Sequence, residues 1–123
     1  MRVIAGSARG LRLVAPKDPR TRPIADRVKE TLFAILGDRV VDARVLDLYA
    51  GTGAIGIEAL SRGAAHATFV ERGREALIAI RENLARTDTV ARASVHAGEV
   101  EAFLMVDSAD AFGLAFVDPP YAE

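Results

Sequence analysis

The chain has 123 residues, of which 50% are hydrophobic and 27% charged, with a formal net charge of −1. That balance fits one globular domain with a modest core and excludes disorder along the whole chain. It has no cysteine, which excludes disulfides, thiolate metal sites and cysteine nucleophiles and suits a reducing cytoplasm.

Met1 to Val14 carries scattered arginines and only short apolar runs, so it does not read as a signal peptide. No apolar stretch approaches the ~20 residues of a membrane span. A soluble, cytoplasmic protein without a membrane partner is expected. Charge is unevenly spread: residues 1–30 hold eight Lys or Arg against three Asp or Glu, and the rest holds eight against fourteen. A basic arm on an acidic body suits a polyanionic partner met at one end. A solvated surface of scattered arginines explains the charge equally well.

Val3-Ile4-Ala5 and Leu11-Arg12-Leu13-Val14 are strand-like runs around Gly6-Ser7-Ala8-Arg9-Gly10, which predicts a hairpin. Pro16, Pro19 and Pro23 hold the next stretch extended. A helix is expected from Ile24 to Leu36, stopped by Gly37. Its buried face is read as Val28, Thr31, Leu32, Ile35 and Leu36, with Arg27, Lys29 and Glu30 toward solvent. From residue 43 strands and helices alternate. Strands are expected around 45–48, 67–70, 94–96 and 114–117. Helices are expected at 54–62 and 73–86, the second buried through Leu77, Ile80 and Leu84, with a short one around Val100, Phe103 and Leu104. The alternation predicts an α/β fold with parallel pairing.

The first strand runs into Gly51-x-Gly53-x-x-Gly56, and Glu71 follows twenty residues after Gly51. A glycine loop between strand and helix lets a ligand approach the backbone, and an acid at the end of the next strand can accept bonds from ribose hydroxyls. Both features would serve a nicotinamide cofactor. Asp47 argues against it, because a pyrophosphate at the loop would be repelled by a partly desolvated carboxylate. S-adenosylmethionine carries an ammonium and a sulfonium and no phosphate, so it is the expected cofactor. A capping role for Asp47 in an ordinary strand-loop-helix is the bland alternative.

Asp118-Pro119-Pro120-Tyr121 follows the last strand, at the carboxyl edge where ligands bind in such sheets. Methylation of an exocyclic base amine needs such a group. The amine lone pair is delocalised into the ring, and a carboxylate with a rigid carbonyl would accept its two hydrogens and stabilise the developing charge. Tyr121 could stack on the base. A proline-stiffened turn with a solvent-facing tyrosine is the alternative reading.

Gly6 to Leu13, "RTRPIADRVKETLFAIL", "VLDLYAGTGAIGIEALSRGA", "FVER" and "VDPPY" occur in order over nearly the whole chain. Together they resemble the bacterial 16S rRNA guanine-N2 methyltransferases of the RsmD type. The resemblance implies a class I S-adenosylmethionine-dependent methyltransferase core of Rossmann-like form, and guanine 966 of the small-subunit RNA as target. It implies that Asp47, Gly51 and Gly53 line the methionine end of the cofactor and Glu71 its ribose. Tyr49, Arg72, Gly98 and Glu99 complete the cofactor-binding set, and Asp118, Pro119, Pro120 and Tyr121 form the catalytic one. Arg20, Arg22, Arg27 and Lys29 are the expected RNA contacts, with 16S rRNA or the small subunit as partner. The division expected is a basic RNA-contacting segment, 1–40, and the N-terminal part of the methyltransferase domain, 41–123. Glu99 stands where the family usually has aspartate. Family members also continue past Asp-Pro-Pro-Tyr with three further strands, so a truncated chain with an incomplete sheet is expected. A DNA adenine-N6 or cytosine-N4 methyltransferase, a non-catalytic cofactor- or nucleic-acid-binding fragment and a nicotinamide oxidoreductase are the competing readings. His66, read in a turn, and His96 have no partner motif and are taken as structural or incidental, and no metal pattern is visible.

Overall fold

Among the described residues four strands, β1 (Arg44–Leu48), β2 (His66–Glu71), β3 (Ala93–Ala97) and β4 (Leu114–Val117), pair in parallel in the order β3-β2-β1-β4. Helices α1 (Asp26–Leu36), α2 (Ala54–Ser61), α3 (Arg74–Arg86) and α4 (Val100–Val106) precede or connect them. The computed structural model describes residues 1–15, 24–106 and 112–118. Within those residues the strands and α2 to α4 lie within a residue or two of their predicted bounds. His66 opens β2 instead of lying in a turn, and its Nε2 sits 2.9 Å from Ser94 Oγ on β3. No helix among the described residues is long and apolar enough to cross a membrane.

Strand alternation sorts side chains to two faces. Val45, Ala67 and Phe69 join Ile57 and Leu60 of α2 and Ile80 and Leu84 of α3 in one core. Leu46, Leu48 and Val70 point the other way and meet Val100 and Phe103 of α4. Val3, Ala8, Leu13, Phe33 and Val40 belong to the first core, so the described residues of segments 1–15 and 24–40 contribute to the same interior as the sheet.

Two further expectations need correction. The N-terminal hairpin is only a short antiparallel ladder, with Val3 N–H to Leu11 O at 2.9 Å, Gly10 N–H to Val3 O at 2.8 Å and Leu13 N–H to Met1 O at 3.1 Å. Ile4 and Ala5 do not pair across it. Their N–H groups donate to Glu58 of α2 at 2.9 and 3.0 Å, and Ala8 N–H donates to Ser61 Oγ at 2.9 Å. The face of α1 also differs. Val28 and Ile35 are 54% and 68% exposed, Thr31 is exposed, and Leu32 and Leu36 are half-buried, whereas Lys29 and Phe33 are buried. The reason is polar. Glu58 lies buried on α2 and draws Lys29 Nζ to 3.2 Å, while the same ammonium donates to Arg2 O at 2.6 Å. Phe33, one turn along, packs 5.9 Å from the Phe116 ring and under the Arg62 guanidinium, 4.9 Å away. A charge pair and a stacked aromatic outweigh the apolar count of the opposite face.

Candidate functional site

β1 alternates Val45 and Asp47 toward α2, which puts a carboxylate under the loop joining strand to helix. Asp47 is buried, and its Oδ2 accepts the Gly56 N–H at 3.1 Å. Glycine is required at 56 because a Cβ would enter the Phe69 ring and lie 3.2 Å from Asp47 Oδ2. The loop turns through left-handed backbone at Tyr49 (φ 58°), Gly51 (φ 59°) and Gly53 (φ 79°). Tyr49 is the costly member, since a side chain there is strained by roughly 1–3 kcal/mol, and such strain gathers at functional sites.

The helix end is already occupied by its own chain. Gly56 N–H is given to Asp47, and Ala54 N–H to Thr52 Oγ1 at 3.3 Å. A pyrophosphate binds a helix N-terminus through such N–H groups, so this one is poorly equipped for a dinucleotide. Burial raises the Asp47 pKa to about 8, with Asp118 and Glu71 adding repulsion and the Gly56 N–H partly offsetting it. Three carboxyl groups thus gather at the carboxyl ends of β1, β2 and β4, and Asp47 keeps its proton at neutral pH until a cation offsets the cost of its charge.

Glu71, at the end of β2, accepts Gly51 N–H through Oε1 and Gly73 N–H through Oε2, both at 2.8 Å. It thereby ties the glycine loop to the start of α3. A carboxylate has about four lone-pair sites, so two bonds leave acceptor capacity for a ligand's hydroxyls. Gly98 N–H donates to Glu71 O at 2.9 Å, which brings the β3–α4 turn to the same edge. There Arg72 pairs with Glu99 at 3.3 Å, both exposed, and Tyr49 O–H donates to Glu101 at 3.2 Å. Asp47, Tyr49, Gly51, Gly53, Glu71, Arg72, Gly98, Glu99 and Asp118 thus share one end of the sheet. Asp118 is exposed just past β4.

Arg20, Arg22, Pro119, Pro120 and Tyr121 lie outside the described residues. Arg27 is exposed on α1. Lys29 is not available to RNA: it is fully buried and its ammonium is spent on Glu58 and Arg2 O. Periodicity hid it, because a lysine stem can cross a helix face to a partner. Sequence reasoning also missed Glu58 and Asn83. One signal was available for Glu58, a lone charge in the otherwise uncharged run "AIGIEALS" of a helix buried on most sides.

Residues 1–123 match the sequence model of a family described as conserved hypothetical protein 95. The chain belongs to that family. Among relatives of this conserved hypothetical protein 95 chain, the ribosomal RNA small subunit methyltransferase D of Escherichia coli K12 is 43% identical over 121 residues, 98% of this chain and 60% of that protein. A Haemophilus influenzae protein of the same name is 32% identical over 123 residues, 98% of this chain and 64% of its own length. The solved structure of a hypothetical protein from Thermus thermophilus superimposes with a TM-score of 0.87 at 39% identity, over 100% of this chain and 71% of that one. The C-terminal domain of a precorrin-6Y C5,15-methyltransferase from Rhodobacter capsulatus shares the fold, with a TM-score of 0.71 at 17% identity over 88% of this chain and 60% of that one. This family member therefore has a Rossmann-like methyltransferase core, and it spans 60% of the E. coli relative.

Proposed function

We propose that this member of the conserved hypothetical protein 95 family binds S-adenosylmethionine at the carboxyl edge of β1, β2 and β4. There it methylates the exocyclic N2 amine of a guanine in small-subunit ribosomal RNA, at guanine 966, in the bacterial cytoplasm. The observation that carries the reading is Asp47: a buried carboxyl group repelled by two neighbours, beneath a glycine loop whose helix has its Ala54 and Gly56 N–H groups already taken. Such a site gains from a cation and loses from a phosphate. The chain's 43% identity to a ribosomal RNA small subunit methyltransferase supports the RNA half of the proposal.

When bound, S-adenosylmethionine supplies a methyl group activated by the sulfonium. Asp47 would hold its ammonium end, with Gly51 and Gly53 letting the backbone approach, and the free lone pairs of Glu71 would accept from ribose hydroxyls. Tyr49, Arg72, Gly98 and Glu99 line the same edge and would bound the adenosine end. Asp118 would accept one hydrogen of the guanine amine. Pro119 follows it in sequence and offers a carbonyl with no competing N–H, and Tyr121 an aromatic face for the base. The nitrogen turns cationic as it is methylated, so its proton can leave afterwards and no strong base is needed. Arg20, Arg22 and Arg27 would meet RNA phosphates.

Titration calorimetry tests the cofactor half. Binding of a cation favours ionised Asp47, whose pKa stands near 8 in the free protein, so binding releases a proton below that pH. S-adenosylmethionine affinity should rise roughly tenfold per pH unit from about pH 6 toward 7.5, then level near pH 8 as the ligand's own ammonium begins to deprotonate. Tight NADH binding with no S-adenosylmethionine binding overturns the reading, and a pH-independent affinity removes Asp47 from it.

A further inference from the structure

Asn83 is fully buried on α3, on the core side of the glycine loop. Its Oδ1 accepts Val14 N–H at 2.7 Å, and its Nδ2 donates to Val14 O at 2.9 Å and to Thr52 O at 3.0 Å. The amide thus presents one full edge to the backbone of Val14, as a neighbouring strand would. Its last hydrogen goes to the loop.

Thr52 is the middle residue between Gly51 and Gly53, both with positive φ. Glycines on each side leave the intervening peptide with more accessible conformations than any other pair of neighbours would. The loop is restrained on its other side by Gly51 N–H to Glu71 and by Gly53 N–H to Ala50 O at 2.9 Å. Ile80, one turn before Asn83, lies against Gly53. Asn83 is the polar side chain of α3 that fixes the Thr52 carbonyl.

We propose that Asn83 is a positioning residue for the cofactor: it holds the Thr52–Gly53 peptide in the ligand-binding conformation from behind the loop. This rests on the cofactor reading above. The two bonds to Val14 tie the N-terminal segment to α3, and only the third bond, to Thr52 O, reaches the loop.

The test is calorimetry with S-adenosylhomocysteine, beside thermal melts, on wild type, Asn83→Asp, Asn83→Ser and Val14→Pro. N83D keeps the shape and the bond from Val14 N–H, but turns an acceptor toward two carbonyls. Its affinity should fall about tenfold or more relative to wild type at about pH 8. The deficit should narrow near pH 5.5, where the new carboxyl is protonated and can donate one bond again. Asn83→Ser, with one hydroxyl donor, should fall between the two. Val14→Pro removes only the Val14 N–H, so it should lower the melting temperature and leave affinity within about twofold. Variants that melt lower yet bind like wild type at both pH values reduce Asn83 to a structural role and overturn the proposal. So does a Val14→Pro loss equal to that of N83D. Failure of wild type itself to bind would instead count against the cofactor assignment.

Discussion

Asp118→Ala should lower kcat for methyl transfer by roughly 10²–10³, the range for losing a preorganised electrostatic group at the reacting atom. The residue is exposed just past β4, so the substitution opens no cavity and the fold should persist. It also relieves repulsion on Asp47, because Asp118 is one of the two charges that raise the Asp47 pKa. Easier ionisation of Asp47 and the loss of one charge that attracts the cation oppose each other, so S-adenosylmethionine affinity should change little. Single-turnover kinetics at saturating cofactor, on a protein of the relatives' full length that carries these residues, separates the two effects. A fall in affinity with kcat intact would move Asp118 from the base to the cofactor.

The largest expected effect on stability belongs to Glu58→Gln. Glu58 accepts from Ile4 N–H, Ala5 N–H, Lys29 Nζ and Arg62 Nε, the last at 2.8 Å, and both it and Lys29 are fully buried. Removing the charge leaves an ammonium in the interior with neutral acceptors alone, the Arg2 carbonyl and one amide oxygen, and turns an NH2 toward groups that can only donate. Breaking one partner of a buried pair costs about 3–5 kcal/mol, which for a domain of this size lowers the melting temperature by roughly 10 °C or more. Lys29→Met should cost a comparable amount alone. The double substitution should be less damaging than the sum, with a coupling of about 1–3 kcal/mol. Denaturant melts of the four proteins give that coupling, and strict additivity would mean that the pair does not act as a unit.

The strands and connecting helices were legible because their signals are local. β1 to β4 are short apolar runs, Gly63 and the Gly51–Gly56 loop punctuate them, and their alternation with helices implies the parallel pairing observed. The nearness of Asp47 to the loop was legible too, since it stands four residues ahead of Gly51 on the strand that runs into it. What escaped was held by contacts between residues distant in sequence. Ile4 and Ala5 look like strand residues, but their partner is a carboxylate more than fifty positions away. Lys29 reads as a solvent residue until Glu58 is placed behind it, and α1 turns to bring them together. Asn83 reads as a polar helix position and instead serves two backbone segments, 31 and 69 residues distant. Apolar periodicity records how much of a face is greasy, and it is silent about which buried charge must be met.

The most direct measurement of the central claim is the identity of the modified nucleoside. Labelled S-adenosylmethionine would be offered with undermodified small ribosomal subunits, naked small-subunit RNA and duplex DNA to a protein of the relatives' full length carrying these residues, and the products digested to nucleosides. Label in N2-methylguanosine, from the ribosomal substrates alone, is the predicted result. Label in N6-methyladenine or N4-methylcytosine from DNA would contradict it.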